Sequence, residues 1–405
     1  MDLNDHRNIG NRLALFHQQE EAPGMIFWHP RGFALYRAVE DYIRRRMRRA
    51  GFQEVRSPQM LARSLWERSG HWEKFAEHMF VLEDGHRPFA LKPMSCPCHI
   101  QIFGKQVRSF RELPLRYSEF GVCHRNEPSG ALQGLMRGRA FVQDDAHIFC
   151  AEEHIVGEVA RFAGMLREIY ADFGFPQFRV GFSTRPERRA GDDALWDRAE
   201  AALQAAAEAA ELDYAVQPGE GAFYGPKLDF ILIDGRGRDW QCGTVQLDFV
   251  LPERLDAEYV DADNHRRRPV LIHHAVLGSM ERFIGMLLEH YEGRLPFWLA
   301  PEQVMVASIG ESQEAAGYAR ALAEDMQAME LRVRLDSRAD RLGDKVAAAH
   351  AAAIPVLLAV GPKEAAAGSV SWRQADGAVR PMRRDAALAE LARLAQPGRA
   401  DPGES

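Results

Sequence analysis

The chain has 405 residues, of which 46% are hydrophobic and 27% charged, with a net charge of −7. This length predicts two or three domains, and we expect two. A charged N-terminus and the lack of a long apolar run argue against a secretory signal and a membrane span, so we expect a cytoplasmic protein. The acidic balance removes any general attraction to nucleic acid and leaves RNA contacts to local basic patches.

The cysteines are odd in number and spread along the chain, which argues against a disulfide framework. They are Cys96, Cys98, Cys123, Cys150 and Cys242. Reduced thiols or metal ligands remain as their roles.

The first predicted elements are a long helix and a short strand. Apolar residues at helical spacing predict a helix over residues 31–50, and Gly51 ends it. A strand ending at Pro58 follows, and a proline there suits either a simple edge strand or a subunit contact.

A long antiparallel hairpin is predicted next. Its strands lie within residues 115–127 and 140–149, and the loop between them is rich in glycine. A helix over residues 152–173 follows. Strands and helices then alternate up to residues 270–293, which read as a strand, a Ser279 cap and an amphipathic helix.

After residue 296 the pattern changes to regular alternation of strands and helices. This alternation predicts a second, smaller α/β domain with a mixed sheet over residues 297–395. Residues 396–405 are expected to be disordered.

One face of the second hairpin strand carries an aromatic ring and polar side chains that are suited to binding or catalysis. The side-chain period of two places four such residues on that face. They are Phe141, Gln143, Asp145 and His147. For a single strand, an ordinary solvated face explains such a row equally well.

Arginines converge on the hairpin loop. Arg125 and Glu127 share a strand face at its mouth, and Arg137 and Arg139 lie within it. Guanidinium groups pair bidentately with phosphate oxygens. The common phosphate-binding motifs GxxxxGK[ST] and GxGxxG are absent from the sequence, so we expect these arginines to hold any nucleotide.

Six motifs, taken in order, resemble those of class II aminoacyl-tRNA synthetases and specifically of the threonyl-tRNA synthetases. They are LKPMSCPCH, RNEPSGAL, FVQDDAHIF, AFYGPKLDF, QCGTVQLDF and IHHAVLGSMERF. The resemblance covers residues 4–395 and implies an α+β fold, with a mostly antiparallel catalytic domain over residues 1–296 and an anticodon-binding-like domain after it. It also implies a homodimer that activates L-threonine with ATP and charges tRNA(Thr).

The resemblance further implies the residues that bind ATP, which Mg²⁺ is expected to accompany. Arg125 should contact the α-phosphate, and Glu127 the adenine amino group. Phe141 and Arg282 should sandwich the adenine ring, with Arg282 also reaching the γ-phosphate. Arg125 and Arg282 are the expected catalytic residues. The remaining expected ATP contacts are Arg137, Gln241 and Thr244.

In this family a zinc ion is held by residues that match Cys96, His147 and His273, and it takes the substrate's amino and hydroxyl groups. Their spacing alone would not reveal them, because a lone histidine is more commonly structural. One thiolate and two imidazoles with open positions suit catalytic zinc. Such a metal would reject valine, which an apolar pocket cannot do well.

The remaining expected substrate contacts surround that metal. Asp145 should hold the ammonium group, and Tyr224 and Gln246 should close the pocket. The other predicted contacts are Gln143 and Lys227. Gln241 and Gln246 differ in strand parity, so a shared face needs a bulge near Gly243.

Two features depart from the family pattern. Cys98 replaces the usual glycine, and in a CxC strand its thiol would point away from that of Cys96, as a spectator. The resemblance also begins where the family's catalytic domain begins, so we expect the chain to lack the N-terminal and editing domains.

The second domain is thinly equipped for RNA, and a structural or weakly binding role is the alternative. Its basic residues include Arg338, Arg341, Lys345 and Arg373. Two alternatives for the whole chain therefore stay open. One is a paralogue that activates threonine for inhibitor self-resistance or a non-tRNA acceptor, and the other is a regulatory protein that senses threonine or tRNA without catalysis.

Overall fold

The computed structural model describes residues 3–85, 87–234, 237–374 and 377–398. Its α-helices in chain order are α1 (His6–Arg12), α2 (Pro30–Arg49), α3 (Arg63–Ser69), α4 (His71–Phe75), α5 (Cys96–Phe103), α6 (Ile155–Asp172), α7 (Asp193–Ala209), α8 (Leu251–Arg254), α9 (Met280–His290), α10 (Gln313–Ala328), α11 (Leu342–Ala351), α12 (Pro362–Ala367) and α13 (Arg384–Leu394). Short 3₁₀ turns cover Ala76–His78, Phe110–Glu112, Ser129–Ala131 and Glu152–His154.

The strands in chain order are β1 (Phe16–His17), β2 (Phe27–Trp28), β3 (Gln53–Glu54), β4 (Met60–Ala62), β5 (Val81–Asp84), β6 (Arg87–Leu91), β7 (Arg108–Ser109), β8 (Leu115–His124), β9 (Ala140–Cys150), β10 (Phe178–Ser183), β11 (Tyr214–Gln217), β12 (Lys227–Ile233), β13 (Asp239–Asp248), β14 (Tyr259–Val260), β15 (Arg266–Arg267), β16 (Val270–Ala275), β17 (Val304–Ser308), β18 (Val333–Asp336), β19 (Val356–Val360), β20 (Ser369–Gln374) and β21 (Val379–Arg383).

The largest sheet has eight strands in the order β11-β10-β12-β13-β16-β9-β8-β3. Its six inner strands pair antiparallel, and β11 and β3 add one parallel strand at each edge. The predicted antiparallel hairpin is β8 with β9. The predicted mostly antiparallel sheet is therefore confirmed.

Helices α2, α6 and α9 cover one face of this sheet and share its core. The apolar stripe predicted for α2 is buried there, with Leu35, Val39 and Ile43 fully shielded from solvent. Each such aliphatic side chain contributes about 1.5–3 kcal/mol when it leaves water. Ser279 caps α9 as predicted, because its hydroxyl accepts the amide hydrogen of Arg282 at 3.1 Å.

The second sheet has the order β18-β17-β19-β20-β21, in which the first three strands are parallel and the last two antiparallel. This mixed sheet was predicted. Phe297 packs into its core and Trp298 into that of the large sheet, and the exact boundary after residue 296 stays a prediction. Most of the predicted disordered tail, residues 399–405, lies outside the described residues. Among the described residues, no helix combines the length and apolarity needed to span a bilayer.

Two local predictions are wrong. Cys96 and Cys98 lie in the first turn of α5 and not in a strand, and Pro97 between them fits there because a helix's first amides need no intrahelical acceptor. Both thiols are buried. The single strand predicted to end at Pro58 is instead two short strands, β3 and β4, which belong to different sheets on either side of this proline.

Candidate active site

A cleft of about 370 Å³ opens between the β8–β9 loop and the N-terminus of α9. Most of the residues predicted to bind ATP or substrate line it. They are Arg125, Glu127, Arg137, Phe141, Gln143, Gln241, Thr244, Gln246 and Arg282. The structure thus brings together residues from the hairpin, from β13 and from α9.

The arginines crowd one another in this cleft. The Arg125 guanidinium lies over the Phe141 ring, 5.0 Å from its centroid, and Arg137 pairs with Glu127 at 2.8 Å. Burial, together with the like charges of Arg125 and Arg137, lowers the pKa of Arg282. A polyanion bound here would offset that mutual repulsion.

The strand β13 reaches the cleft through a bulge. Phe230 pairs with Gly243 and Ile231 with Gln241, so the bulge lies at Cys242. The extra residue shifts the parity of the strand, and both Gln241 and Gln246 face the cleft. The predicted bulge near Gly243 is confirmed.

Two buried carboxylates that the sequence analysis missed tie β9 to α9. Asp144 accepts the backbone amides of residues 276–278 at 2.7–3.0 Å, and Glu281 accepts the amide of Val142 at 2.9 Å. Burial raises the pKa of each carboxyl to about 7. The turn that starts the Arg282 helix is therefore fixed to the strand that carries Phe141.

Beyond the cleft, Cys96, His147 and His273 form a compact buried cluster. They come from α5, β9 and β16, and their donor atoms all lie within 4.8 Å of one another. The antiparallel register sets His147 directly opposite His273, with Nε2 of the first 3.0 Å from Nδ1 of the second.

Polar partners orient both imidazoles from outside. Nδ1 of His147 lies 2.8 Å from Nδ1 of His99, whose Nε2 lies 3.0 Å from Glu119. Nε2 of His273 lies 2.9 Å from a carboxylate oxygen of Asp248. Each of the two histidines therefore pairs one ring nitrogen with an outer partner and turns the other toward the cluster, an arrangement that is common in metal sites.

The donor set fits a zinc ion. Burial lowers the pKa of His147 well below its ordinary value, which keeps the imidazole neutral and able to coordinate. Burial also raises the pKa of the Cys96 thiol well above its ordinary value, and a cation would offset the cost of the buried thiolate. One sulfur and two nitrogens are the ligands that zinc prefers.

Of the remaining predicted residues, Asp145 and Tyr224 lie beside this cluster, and Lys227 lies on β12, which β13 separates from His273 on β16. The Asp145 carboxylate is 3.8 Å from Nε2 of His147, and burial raises its pKa. Tyr224 stacks on His273, with centroids 5.0 Å apart, and donates its hydroxyl hydrogen to Gln246 at 2.8 Å. Lys227, which pairs with Asp229 at 2.9 Å, is opposite Gln246 in the sheet. Gln246 therefore joins the cluster to the cleft.

Three further residues of this site, His99, Glu119 and Asp248, were not predicted from the sequence. His99 and Asp248 lie inside two of the quoted motifs, which was the only signal for them. Glu119 lies directly opposite Asp145 across the hairpin. Because side chains alternate between the two faces of a strand, this pairing could have placed Glu119 on the same face of the sheet as Asp145.

In the second domain, Lys345 is one of the few basic residues counted from the sequence, but it does not contribute to the surface. Its side chain is fully buried, and the ammonium donates to the carbonyls of Ser308 and Asp336 at 2.8 and 3.0 Å. Arg338 is paired with Asp336 at 2.6 Å. The basic surface on this domain is thinner than the sequence suggested.

Comparison with known families places both parts of the chain. Residues 79–291 match the family described as tRNA synthetase class II core domain (G, H, P, S and T). Residues 303–394 match an anticodon binding domain. The antiparallel sheet, the arginine-lined cleft and the second domain are those of a class II synthetase.

The individual relatives narrow this class further. The threonine–tRNA ligases of Gluconacetobacter diazotrophicus and Gluconobacter oxydans are 58% and 55% identical over 92% and 97% of this chain. The chain spans only 58% and 61% of their lengths. A crystal structure described as the RNA binding domain of threonyl-tRNA synthetase from Cryptosporidium parvum is 39% identical, with a TM-score of 0.93, and the match covers 96% of this chain and 98% of that one. The chain belongs to the threonyl-tRNA synthetase family of class II aminoacyl-tRNA synthetases.

Proposed function

We propose that this chain is a threonine–tRNA ligase, which activates L-threonine with ATP to threonyl-adenylate and transfers threonine to tRNA(Thr). The observation that carries the proposal is the continuity of two sites. The arginine-lined cleft suits ATP, and the buried cluster suits a small polar amino acid. Gln246 lines the first and, through Tyr224, contacts the second.

In the cleft, Arg125 stabilises the charge that grows on the α-phosphate during adenylate formation. Arg282 covers the adenine ring on the face opposite Phe141 and reaches the γ-phosphate. Glu127 accepts from the adenine amino group, and Phe141 stacks on the ring. Arg137, Gln241 and Thr244 complete the contacts to ATP, and Mg²⁺ accompanies the triphosphate.

In the cluster, Cys96, His147 and His273 would hold zinc, which when bound supplies a Lewis acid for the substrate's amino and hydroxyl groups. Asp145 accepts a hydrogen bond from the same amino group. Tyr224 closes the pocket over the substrate. Gln143, Gln246 and Lys227 are further substrate contacts.

The second candidate is a paralogue that activates threonine for inhibitor self-resistance or for an acceptor other than tRNA. One observation favours it: Lys345 is buried and Arg338 is neutralised, which weakens the basic surface of the second domain. Pairing as a homodimer, the cytoplasmic location and the domain boundary stay predictions.

Two assays test the proposal in sequence. Threonine should drive exchange of pyrophosphate into ATP, and valine, which has nearly the same shape, is the matched control. Absence of threonine-dependent exchange would remove the proposed activity altogether. Exchange without charging of tRNA(Thr) would select the paralogue.

A further inference from the structure

The N-terminal helix α1 reaches the β8–β9 loop through one buried histidine. His6 is 1% exposed, and the backbone amide of Leu135 donates to its Nε2 at 3.1 Å. Because a backbone amide can only donate, Nε2 is the acceptor and Nδ1 carries the hydrogen. That hydrogen is donated to Glu289 at 2.7 Å.

Glu289 is a firm anchor for this histidine. It lies in α9 and also accepts the backbone amide of His6 at 3.0 Å. Although burial raises it, hydrogen bonds from His6 and Arg238 lower the pKa of Glu289, so the carboxylate is ionised. The other nearby charges are Asp5, 3.8 Å from Nδ1, and Arg7, which Asp5 neutralises.

The loop amide held by His6 lies inside the nucleotide cleft. Leu135 lines the cleft, and the carbonyl of the next residue, Met136, accepts from Nε of Arg282 at 3.2 Å. Gly134 passes so close that a Cβ there would lie 2.3 Å from Nε2 of His6. Fixing one peptide therefore fixes the neighbouring carbonyl that orients Arg282.

We propose that His6 is a positioning residue for ATP, acting as the acceptor that holds residues 134–136 of the loop against α9. It touches no substrate and acts through the loop and Arg282. The inference rests on the proposed function of the cleft. It assigns to α1, which lies outside the matched core domain, a part in nucleotide binding.

Two isosteric variants separate the two contacts of His6. His6→Gln places a side-chain oxygen near the position of Nε2 and keeps an acceptor for Leu135. His6→Asn keeps a donor near Nδ1 for Glu289 but leaves the loop amide unpaired. We expect His6→Asn to raise the KM for ATP about 5-fold, the effect of one lost neutral hydrogen bond.

Pyrophosphate exchange at saturating threonine gives the KM for ATP, and thermal melting reports stability. His6→Gln should restore the ATP KM toward the wild-type value, and the threonine KM should stay unchanged in both variants. Equal ATP KM values in the two variants, or parallel rises for ATP and threonine, would overturn the inference. Failure of the wild-type chain to exchange pyrophosphate would instead remove the proposed function.

A third variant covers the case in which neither His6 variant folds. Gly134→Ala keeps the histidine but pushes the loop away from it, and it should also raise the ATP KM. A folded Gly134→Ala protein with an unchanged ATP KM would refute the role of this contact.

Discussion

Replacing Asp248 by Asn tests how the proposed zinc site of Cys96, His147 and His273 is assembled. One carboxylate oxygen of Asp248 accepts the amides of Val250 and Leu251 at 2.8 and 2.9 Å, and the other faces Nε2 of His273 at 2.9 Å. Asparagine has a single acceptor oxygen for these two positions. If this oxygen accepts from the amides of Val250 and Leu251, two hydrogen bonds are kept, whereas facing His273 would keep only one. The side-chain NH₂ group therefore faces His273.

The Asp248→Asn substitution moves the ring hydrogen of His273 from one nitrogen to the other. With a donor opposite it, Nε2 becomes an acceptor and the hydrogen moves to Nδ1, the nitrogen that faces the cluster. Loss of such an outer partner costs a metal site roughly 10- to 100-fold in affinity, or about 1.4–2.7 kcal/mol. We expect Asp248→Asn to weaken zinc binding by this factor.

The assay is zinc transfer to a chromophoric chelator of known affinity. It measures the zinc affinity of the protein independently of catalytic activity. Asp144→Asn is the matched control, since Asp144 is a buried carboxylate in the same sheet that accepts hydrogen bonds from the backbone amides of residues 276–278. Equal zinc affinities in wild type and Asp248→Asn would refute the reasoning. A loss in the control of the same size would assign the effect to general destabilisation.

Further predictions concern the metal, the phosphates, the substrate and pH. Cys96→Ser should abolish both zinc binding and threonine-dependent exchange, whereas Cys150→Ser, also buried but outside the cluster, should retain zinc; equal zinc contents contradict this. Arg282→Ala should lower kcat about 10²- to 10³-fold with little change in the threonine KM, and a matching loss in threonine affinity would refute the role. Serine should be activated only roughly 10- to 200-fold less well than threonine, because it lacks one methyl group but supplies both zinc-binding groups, whereas valine should be nearly inert in the same exchange assay. Burial raises the pKa of Glu119, but hydrogen bonds from the imidazole of His99 and from a backbone amide outweigh it and lower this pKa from 4.5 to about 2. The ionised carboxylate therefore stabilises the fold fully above about pH 4.5, and this stabilisation is lost as the pH falls through about 2. Acid unfolding titrations of wild type and Glu119→Gln should differ in that pH window.

Local patterns carried much of the fold. The period of two placed Phe141, Gln143 and His147 on one face of β9, and helical spacing found the buried stripe of α2. Ser279 at the start of a predicted helix indicated the N-cap of α9. Gln241 and Gln246 lie an odd number of residues apart in one strand, so placing both on one face required the bulge. Each of these features is decided by neighbours a few residues away along the chain.

The rest is decided by pairing between distant segments. His147 and His273 are 126 residues apart, and only the strand register makes them neighbours. Cys96 and Cys98 were predicted to lie in a strand, because two cysteines two residues apart occur both in strands and in the first turn of a helix. The spacing alone does not distinguish the two structures. The burial of Lys345 was not predicted, because its three oxygen partners belong to Ser308 on β17 and Asp336 on β18, which are distant in sequence from helix α11.

The two buried carboxylates beneath the cleft give its walls unequal mobility. Asp144 and Glu281 fasten the floor, so the amides of residues 276–278 should open to solvent only when the large sheet itself unfolds. The opposite wall is a loop outside the sheet, and separate hydrogen bonds hold it, such as those from Leu135 to His6 and from Arg139 to Gly24. Hydrogen exchange should therefore find a protected floor beneath a faster-exchanging loop, and nucleotide binding should slow exchange in the loop while leaving the floor unchanged.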